Sequence, residues 1–209
     1  MNIKNYNELS SLELDTLKEI GSIGTGNAAT SLSSLIGKPV RIQQPEVRIM
    51  GYNEAIEWIG GPEEITAGVL VGMSNQLSGI MLSVQQLEFV KLVAESMLNE
   101  QVESYEQIRD MERSALTEVG NIMISTFINA LTGLAGIDID LSVPAFTVDM
   151  QGAIMAVPMA MYGGQSDYIM TIGGDFVCNG KQIPCRLLLS PDIRSLNFLL
   201  RKLGVDSGE

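Results

Sequence analysis

The sequence predicts an α+β fold whose helices and mostly antiparallel strands are arranged in two similar halves. Two observations predict it. First, residues 14–23 align with residues 113–122 at an offset of 99, with Leu, Glu, Gly and Ile in register, and Pro45 recurs as Pro144. Second, each half shows the same order of helical and extended patterns. Two copies indicate a pseudo-twofold duplication rather than a solenoid of many repeats.

The repeat divides the chain. We predict one domain over residues 1–209, made of two repeats at about 1–100 and 101–209. In the first repeat we predict a long helix, an extended segment, a short helix, two strands and a closing helix at residues 10–36, 39–50, 53–59, 64–74, 77–84 and 85–98. The second repeat follows the same order at residues 106–134, 138–148, 150–161, 167–178, 181–189 and 192–203, with Gly204 as the last cap.

The composition excludes several classes of function. The chain has 25 Asp and Glu against 13 Lys and Arg, a formal charge of -12, so a nucleic-acid backbone would be repelled. It has no histidine, which excludes imidazole chemistry and most transition-metal sites. No cofactor or metal site of its own is predicted. The uncharged stretch 119–137 is interrupted by polar residues and glycines, so we predict a buried helix there and no membrane span.

The two cysteines flank Asn179-Gly180, the strongest hairpin signal in the sequence. If the chain turns at these two residues, Cys178 faces Lys181, and Cys185 lies roughly 13 Å farther along at about 3.4 Å per residue. Bridged cysteines have Cα atoms within about 7 Å of each other. Both are therefore predicted to be reduced thiols in a reducing compartment, and a cytoplasmic location is expected.

A row of polar side chains marks the long helix of the second repeat. Because each residue of an α-helix turns by about 100°, four of them fall within one narrow stripe: Ser114, Glu118, Asn121 and Ser125. The apolar side is predicted to consist of Met111, Ala115, Val119, Ile122 and Met123. The row should then face solvent or a partner. An ordinary solvated helix face has the same pattern, but duplication of the Glu and of the distant Pro favours a functional role.

These residues resemble a known signature. The segment Glu118-Val119-Gly120-Asn121, with Ser114 four residues before the Glu and Pro144 twenty-three after the Asn, is similar to that of the CheC/CheX/FliY family of phosphatases. That signature is Asp or Ser, three residues, Glu, two residues, Asn, twenty-two residues and Pro. The resemblance covers nearly the whole chain and is greatest for the CheC branch. It implies a CheC-like fold, with long helices that bear the active-site motifs, in a bacterial chemotaxis protein linked to flagellar motility.

The resemblance implies hydrolysis of the aspartyl-phosphate of the response regulator CheY. The regulator would bring the acyl phosphate and its own Mg²⁺, Asn121 would hold a water in line with phosphorus, and Glu118 would engage the regulator's active-site Lys. Ser114 and Pro144 would be supporting residues. No base is adjacent to activate Ser114 as a nucleophile, and Pro144 fixes the chain that enters the following strand.

The first repeat carries a degenerate second site. Asp15, Glu19 and Pro45 match the signature, but Ser22 occupies the position of the Asn. A carboxamide offers a donor and an acceptor farther from the backbone than a hydroxyl does, and losing a positioning group commonly costs about 10²- to 10³-fold in rate. We therefore predict that the Asn121 site works and that the Ser22 site is weak or vestigial.

Glycines follow Glu19 in a pattern similar to that of a phosphate-binding loop, at Gly21, Gly24 and Gly26. No strand precedes them and no Lys-Ser/Thr follows, so close helix packing is predicted instead.

Asp149 and Met150 open the short helix of the second repeat, which is rich in methionine. The resemblance implies that this helix binds CheD, the receptor-modifying deamidase, with these two residues among the contacts. The alternative is an ordinary strand-to-helix junction with Asp149 as the N-cap, and both stay open.

Two other functions fit the same scaffold. One is a non-catalytic module that binds CheD or phosphorylated CheY, although intact Glu118 and Asn121 favour the enzyme. The other is a flagellar switch-associated protein of the FliY or FliM type, for which a further assembly domain is expected. The chain ends at Glu209, soon after its last predicted helix, which favours a free-standing CheC type. A duplicated chain needs no partner to close its fold, so a monomer is predicted.

Overall fold

The computed structural model describes residues 3–164 and 166–205. Within them, seven strands form one sheet in which all hydrogen-bonded neighbours are antiparallel. The strands are β1 (Val40–Gly51), β2 (Ile65–Asn75), β3 (Gly79–Gln85), β4 (Ile139–Leu141), β5 (Ala145–Met150), β6 (Tyr168–Cys178) and β7 (Lys181–Pro191). Their order across the sheet is β1-β6-β7-β3-β2, and β4 and β5 pair with different stretches of β2.

The helices are α1 (Ser11–Ile36), α2 (Tyr52–Ile59), α3 (Leu87–Val93), α4 (Asp110–Ala135), α5 (Gln151–Tyr162) and α6 (Ile193–Lys202). Helix α1 begins at a capping box: the Ser10 hydroxyl accepts from the Glu13 amide at 3.3 Å, and the Glu13 carboxylate accepts from the Ser10 amide at 2.7 Å. Helices α1 and α4 end at Gly37 and Gly136, whose φ angles of 64° and 61° suit glycine. None of the helices among the described residues combines the length and hydropathy needed to cross a membrane.

The sheet lies between two layers of helices. Along β7, Leu187 and Leu189 face the larger core, which contains buried residues of α1, α3, α4 and α6. Leu188, between them, faces the smaller core beneath α2 and α5. The long helices and the short ones therefore pack on opposite faces.

Helices α1 and α4 are antiparallel neighbours. The hydroxyls of Ser31 and Thr126 lie 3.1 Å apart, and Ile23, halfway along α1, lines the same groove as Leu134 near the end of α4. The ring of Phe127 lies so close to Gly24 that a methyl group there would collide with it. This contact confirms the predicted role of that glycine in helix packing.

The other two glycines of the run differ. A Cβ at Gly21 would collide with Val47 on β1, so this glycine serves close packing of the helix on the sheet. No atom lies within 4 Å of a Cβ built at Gly26. Close packing therefore does not explain why this position is a glycine.

In each repeat, the strand before the short helix pairs with a strand of the other repeat. Strand β1 of the first repeat pairs with β6 of the second, while β5 of the second pairs with β2 of the first. The two hairpins, β2–β3 and β6–β7, meet at the pairing of β3 with β7. The predicted mixed fold with a duplicated, mostly antiparallel sheet is confirmed, while the single-domain assignment with its repeat boundary stays a prediction.

Two predicted helices have different bounds. The helix predicted over residues 85–98 is shorter, because α3 ends at Val93 and the chain continues as a turn of π-helix, Ala94–Leu98. The helix predicted from residue 106 starts at Asp110, because Tyr105–Gln107 form a separate 3-10 turn.

The extended segment predicted over 138–148 is also broken. Strand β4 ends at Leu141 and β5 begins at Ala145, directly after Pro144, which has no amide hydrogen to donate to a neighbouring strand. The Ser142 hydroxyl accepts from the Gly72 amide of β2 at 2.9 Å and so bridges the break.

Cys178 and Cys185 are free thiols and both are buried. Cys178 pairs with Lys181 across the hairpin, as predicted, and Cys185 pairs with Gly174. Burial raises the pKa of the Cys185 thiol to about 12.

Candidate active site

Helix α4 presents the predicted polar row on its accessible side. Ser114 and Glu118 are exposed and Asn121 is half-buried. The opposite side of the helix is fully packed, with Leu116 and Val119 each 0% exposed. The structure therefore brings Glu118 and Asn121 together on one surface that a partner can reach.

Gly120, between the two candidate catalytic residues, explains how close this part of α4 lies to the sheet. A Cβ at Gly120 would lie 2.6 Å from Cγ2 of Val69 on β2 and 2.9 Å from Nε2 of Gln85 on β3. Nε2 of Gln85 also donates to the carbonyl of Leu116, one turn earlier in α4, at 3.0 Å. Gly120 and the buried side-chain amide of Gln85 thus determine how closely this part of α4 packs on the sheet. Sequence reasoning missed Gln85, which has no counterpart signal in the repeat.

The supporting residues occupy two different elements. The Ser114 hydroxyl donates to the carbonyl of Asp110 at 2.8 Å, a bond within its own helix. Pro144 lies at the start of β5, the strand whose Phe146 ring stacks under the guanidinium of Arg113 at 5.5 Å. This cation–π contact joins the start of α4 to the strand that follows the proline.

The first repeat places its row in the same way on α1. Asp15, Glu19 and Ser22 are all exposed. Asp15 pairs with Lys18 at 2.9 Å, an exposed ion pair that contributes little stability. Pro45 lies inside β1 rather than at a strand end. At this point the pairing of β1 with β6 shifts in register, and Gln44 has a φ of 49°.

The two rows lie at opposite ends of the helix pair. The row of α1 borders a groove of about 370 Å³ that also includes Leu134, near the end of α4, and Lys202. Leu134 follows Glu118 by sixteen residues, which corresponds to roughly 24 Å at about 1.5 Å per residue. The rows are therefore two separate sites and cannot act on one phosphoryl group together.

An apolar residue is exposed beside each row, and the one on α4 was placed wrongly from the sequence. Met111, predicted on the apolar side of α4, is 68% exposed, and Leu12 at the equivalent position of α1 is 60% exposed. The internal repeat could have indicated a shared role for these two residues, because they occupy equivalent positions at the offset of 99. An exposed apolar residue at the same end of both rows is typical of a protein-binding surface.

The start of α5 differs from one of its two predicted readings. The N-cap of α5 is Met150, and Asp149 belongs to β5, where its Oδ1 accepts from the Met150 amide at 2.8 Å. Met150, Met159 and Met161 are between 40% and 53% exposed, whereas Met155 is 0% exposed. Part of the methionine cluster is therefore core and part is surface.

In the part of the chain that the structure describes, no cluster of three or more acidic or cysteine side chains is arranged to hold a metal ion. The expectation that Mg²⁺ comes with the regulator stays a prediction.

Comparison with known proteins gives consistent results. The sequence profile of the CheC-like family matches this chain twice, over residues 12–49 and 111–148, and each match contains one row and its proline. CheY-P phosphatase CheC of Bacillus subtilis is 23% identical over 203 residues, which cover 95% of this chain and 97% of that protein.

Solved structures show which fold this is. FliY of Thermotoga maritima superposes with a TM-score of 0.72 at 22% identity, covering 94% of this chain and 98% of that one. A chain of the CheX-CheY-BeF3-Mg²⁺ complex from Borrelia burgdorferi gives 0.52 at 18% identity, covering 83% and 96%. The fold is thus the one that FliY and CheX share. The profile of the CheC-like family thus matches this chain at both rows, in agreement with the resemblance that the signature indicated.

Proposed function

We propose that this protein is a phosphatase that hydrolyses the aspartyl-phosphate of the response regulator CheY, with Asn121 and Glu118 as its catalytic residues. One observation carries the proposal: the two side chains lie one turn apart on the accessible side of α4, beside the exposed Met111. The name of the Bacillus subtilis relative, CheY-P phosphatase, supports the choice of substrate.

The chemistry needs positioning more than it needs a strong base. Water attacks phosphorus in line with the bond to the aspartyl oxygen, that bond breaks, and the products are the aspartate carboxylate and inorganic phosphate. The carboxamide of Asn121 both donates and accepts, so it can hold the water in the attacking direction. Glu118 engages the Lys of the regulator and fixes the docking geometry, and Mg²⁺ enters as part of the substrate.

The direct test follows the decay of phosphorylated CheY in the presence of Mg²⁺. Asn121→Ala should lose about 10²- to 10³-fold of the acceleration, because the water loses its positioning group. Asn129→Ala is the matched control, since Asn129 is exposed on the same helix two turns farther along, and it should behave as wild type. Retention of most activity by Asn121→Ala would refute the assignment. A wild-type protein that leaves the decay unchanged would instead indicate a binding module.

The first site is tested in the same assay. Ser22→Asn restores the missing carboxamide, and in an Asn121→Ala background it should recover measurable turnover if the α1 face still docks CheY. Ser22→Ala in that background should add nothing. Equal rates for both variants would mean that the first face no longer binds the regulator.

The exposed methionines of α5 favour a second role, the docking of CheD. Met150, Met159 and Met161 give this helix an apolar surface, and Asp149 lies at its start. Asp149→Lys should abolish capture of CheD, while Asp138→Lys, an exposed acidic residue before β4, should not. Capture that is unaffected by Asp149→Lys would contradict this role.

A further inference from the structure

We propose that the cavity between α5 and the sheet binds a compact aromatic molecule that carries one positively charged amino group. The cavity has a volume of about 310 Å³. It lies against α5, while the row of Glu118 and Asn121 lies on the other helix layer, so the inference goes beyond the phosphatase activity.

The lining of the cavity sets the class of ligand. Leu70, Leu82, Ile154 and Val157 provide apolar walls, and Asp149 is the charged residue among the lining side chains. Small-molecule sites typically measure about 300–1,000 Å³ and combine apolar walls with a few polar groups. This cavity is at the small end of that range, which suits one bicyclic ring system and excludes larger cofactors.

The equivalent junction, where α2 packs on β6 and β7, shows what fills this place there. The register pairs Leu70 with Leu82 in one hairpin and Gly173 with Arg186 in the other, and the two pairs correspond under the duplication. Trp58 lies over Gly173, where a Cβ would be only 2.5 Å from the indole.

The guanidinium of Arg186 stacks 4.4 Å from the centroid of the Trp58 ring. The junction between α2 and the sheet, to which both repeats contribute, therefore already holds an aromatic ring and a cation. At the junction between α5 and the sheet, Val157 stands at the position of Trp58 and Leu82 at that of Arg186, and both border the cavity.

Other substitutions between the halves also enlarge the space. Ala153 occupies the position of Glu54, and Thr147 occupies that of Arg48. Both residues line the cavity and both are exposed. The junction beside α5 thus has shorter, less charged side chains than the junction beside α2, and it leaves room for the ring of a bound ligand.

Asp149 decides the charge of the ligand. One of its oxygens accepts from the Met150 amide, and a carboxylate has further acceptor positions that an ammonium group can use. An anionic ligand would be repelled, both by Asp149 and by the net charge of -12. The geometry therefore favours a cationic aromatic amine over a neutral ring, and a neutral ring over an aromatic acid.

The experiment titrates the full chain with tryptamine, indole and indole-3-acetate and follows the methyl signals of Ile154 by NMR. Tryptamine should shift them saturably, with a Kd on the order of 0.1–1 mM for a ligand of this size. Indole should bind several-fold more weakly, and indole-3-acetate more weakly still. Asp149→Asn should bring tryptamine to the level of indole.

Val157→Trp places the first-half residue in the second half and should fill the cavity, weakening tryptamine binding at least tenfold. Ala156→Trp adds the same side chain at the preceding position of α5, which is exposed and does not line the cavity, and it should leave binding unchanged. The proposal is overturned if tryptamine causes no saturable shift, if Val157→Trp binds as wild type does, or if indole-3-acetate binds as tightly as tryptamine. The midpoint of thermal unfolding shows whether each variant is folded. None of these measurements depends on CheY, so their failure is distinct from failure of the proposed phosphatase activity.

Discussion

Gly120 links the sequence motif to the geometry of the site more directly than any other residue. A methyl group at this position would press on Val69 and Gln85. We expect Gly120→Ala to lower the free energy of unfolding by about 1–3 kcal/mol, because the helix must move off the sheet or the side chains must leave their rotamers. Urea unfolding measures the change.

Gly133 provides the matched control in the same helix. No atom lies within 4 Å of a Cβ built there, so alanine costs nothing in packing. Gly133→Ala should raise the free energy of unfolding by about 0.5–1 kcal/mol through its higher helix propensity. If both variants lose stability equally, the close approach at Gly120 is not what requires glycine.

Candidate site residues could be predicted from the sequence where a regular spacing along a helix marks them. Residues that reach the site only through a tertiary contact were missed. Glu118 and Asn121 could be found because helical geometry turns their spacing into a shared surface. Gln85 could not, because it meets α4 through the fold and not through the chain. Met111 was assigned to the packed side because hydropathy alone cannot tell an exposed apolar residue from a buried one.

Among the helices and strands, α1 illustrates how local signals set a boundary. Its capping box satisfies amides at the first turn, which have no partners within the helix. Ser10→Ala should therefore reduce the free energy of unfolding by about 0.5–2 kcal/mol. Thermal unfolding checks this against Ser11→Ala, an exposed position one residue later that should change stability by less. An equal loss in both variants would contradict the capping role.

Elements were predicted well where their signals are local and less well where distant contacts decide. The start of α1 was predicted within one residue because Ser10 and Glu13 are near in sequence. The start of α4 was placed four residues early, because the hydroxyl of Tyr105 donates to the carbonyl of Gln85 and holds the preceding segment in a separate turn. No periodicity contains that bond.

For the whole molecule, thiol and phenol groups whose pKa is raised by burial predict that the free energy of unfolding falls at alkaline pH. Burial raises the pKa of Cys185 to about 12, and burial also raises the pKa of Tyr6, Tyr52 and Tyr162. In the unfolded chain these groups lose protons from about pH 8.5 for Cys and pH 10 for Tyr. The native state then binds more protons than the unfolded state, so stability is complete below about pH 8.5 and falls as the pH rises towards the native pKa values.

Cys185 alone should contribute a loss of about 1.4 kcal/mol per pH unit between these limits. Urea unfolding at pH 8, 10 and 11, with a reductant present, measures the decline. A free energy of unfolding that stays constant up to pH 11 would show that the native state opens these groups to solvent.

The arrangement of the two sites could not be predicted from one sequence. The duplication predicts that there are two rows, but only the antiparallel packing of α1 and α4 shows that they lie at opposite ends. The same limit applies to the cavity beside α5, whose walls come from three strands and a helix. The predicted monomer also stays a prediction.

The pairing of β1 and β5 with strands of the opposite repeat has a consequence for how far the two repeats can differ. A protein assembled from two identical chains would carry every substitution twice, once in each subunit. Here the equivalent of that subunit interface is intramolecular, since β1 and β5 cross over within one polypeptide. Equivalent positions can therefore differ within one molecule: Ser22 stands where the other row has Asn121, and Trp58 stands where the other short helix has Val157 beside an open cavity. Because the two repeats are covalently linked, they are always present at one to one. They can carry different residues at equivalent positions, which the two identical chains of a symmetric dimer cannot.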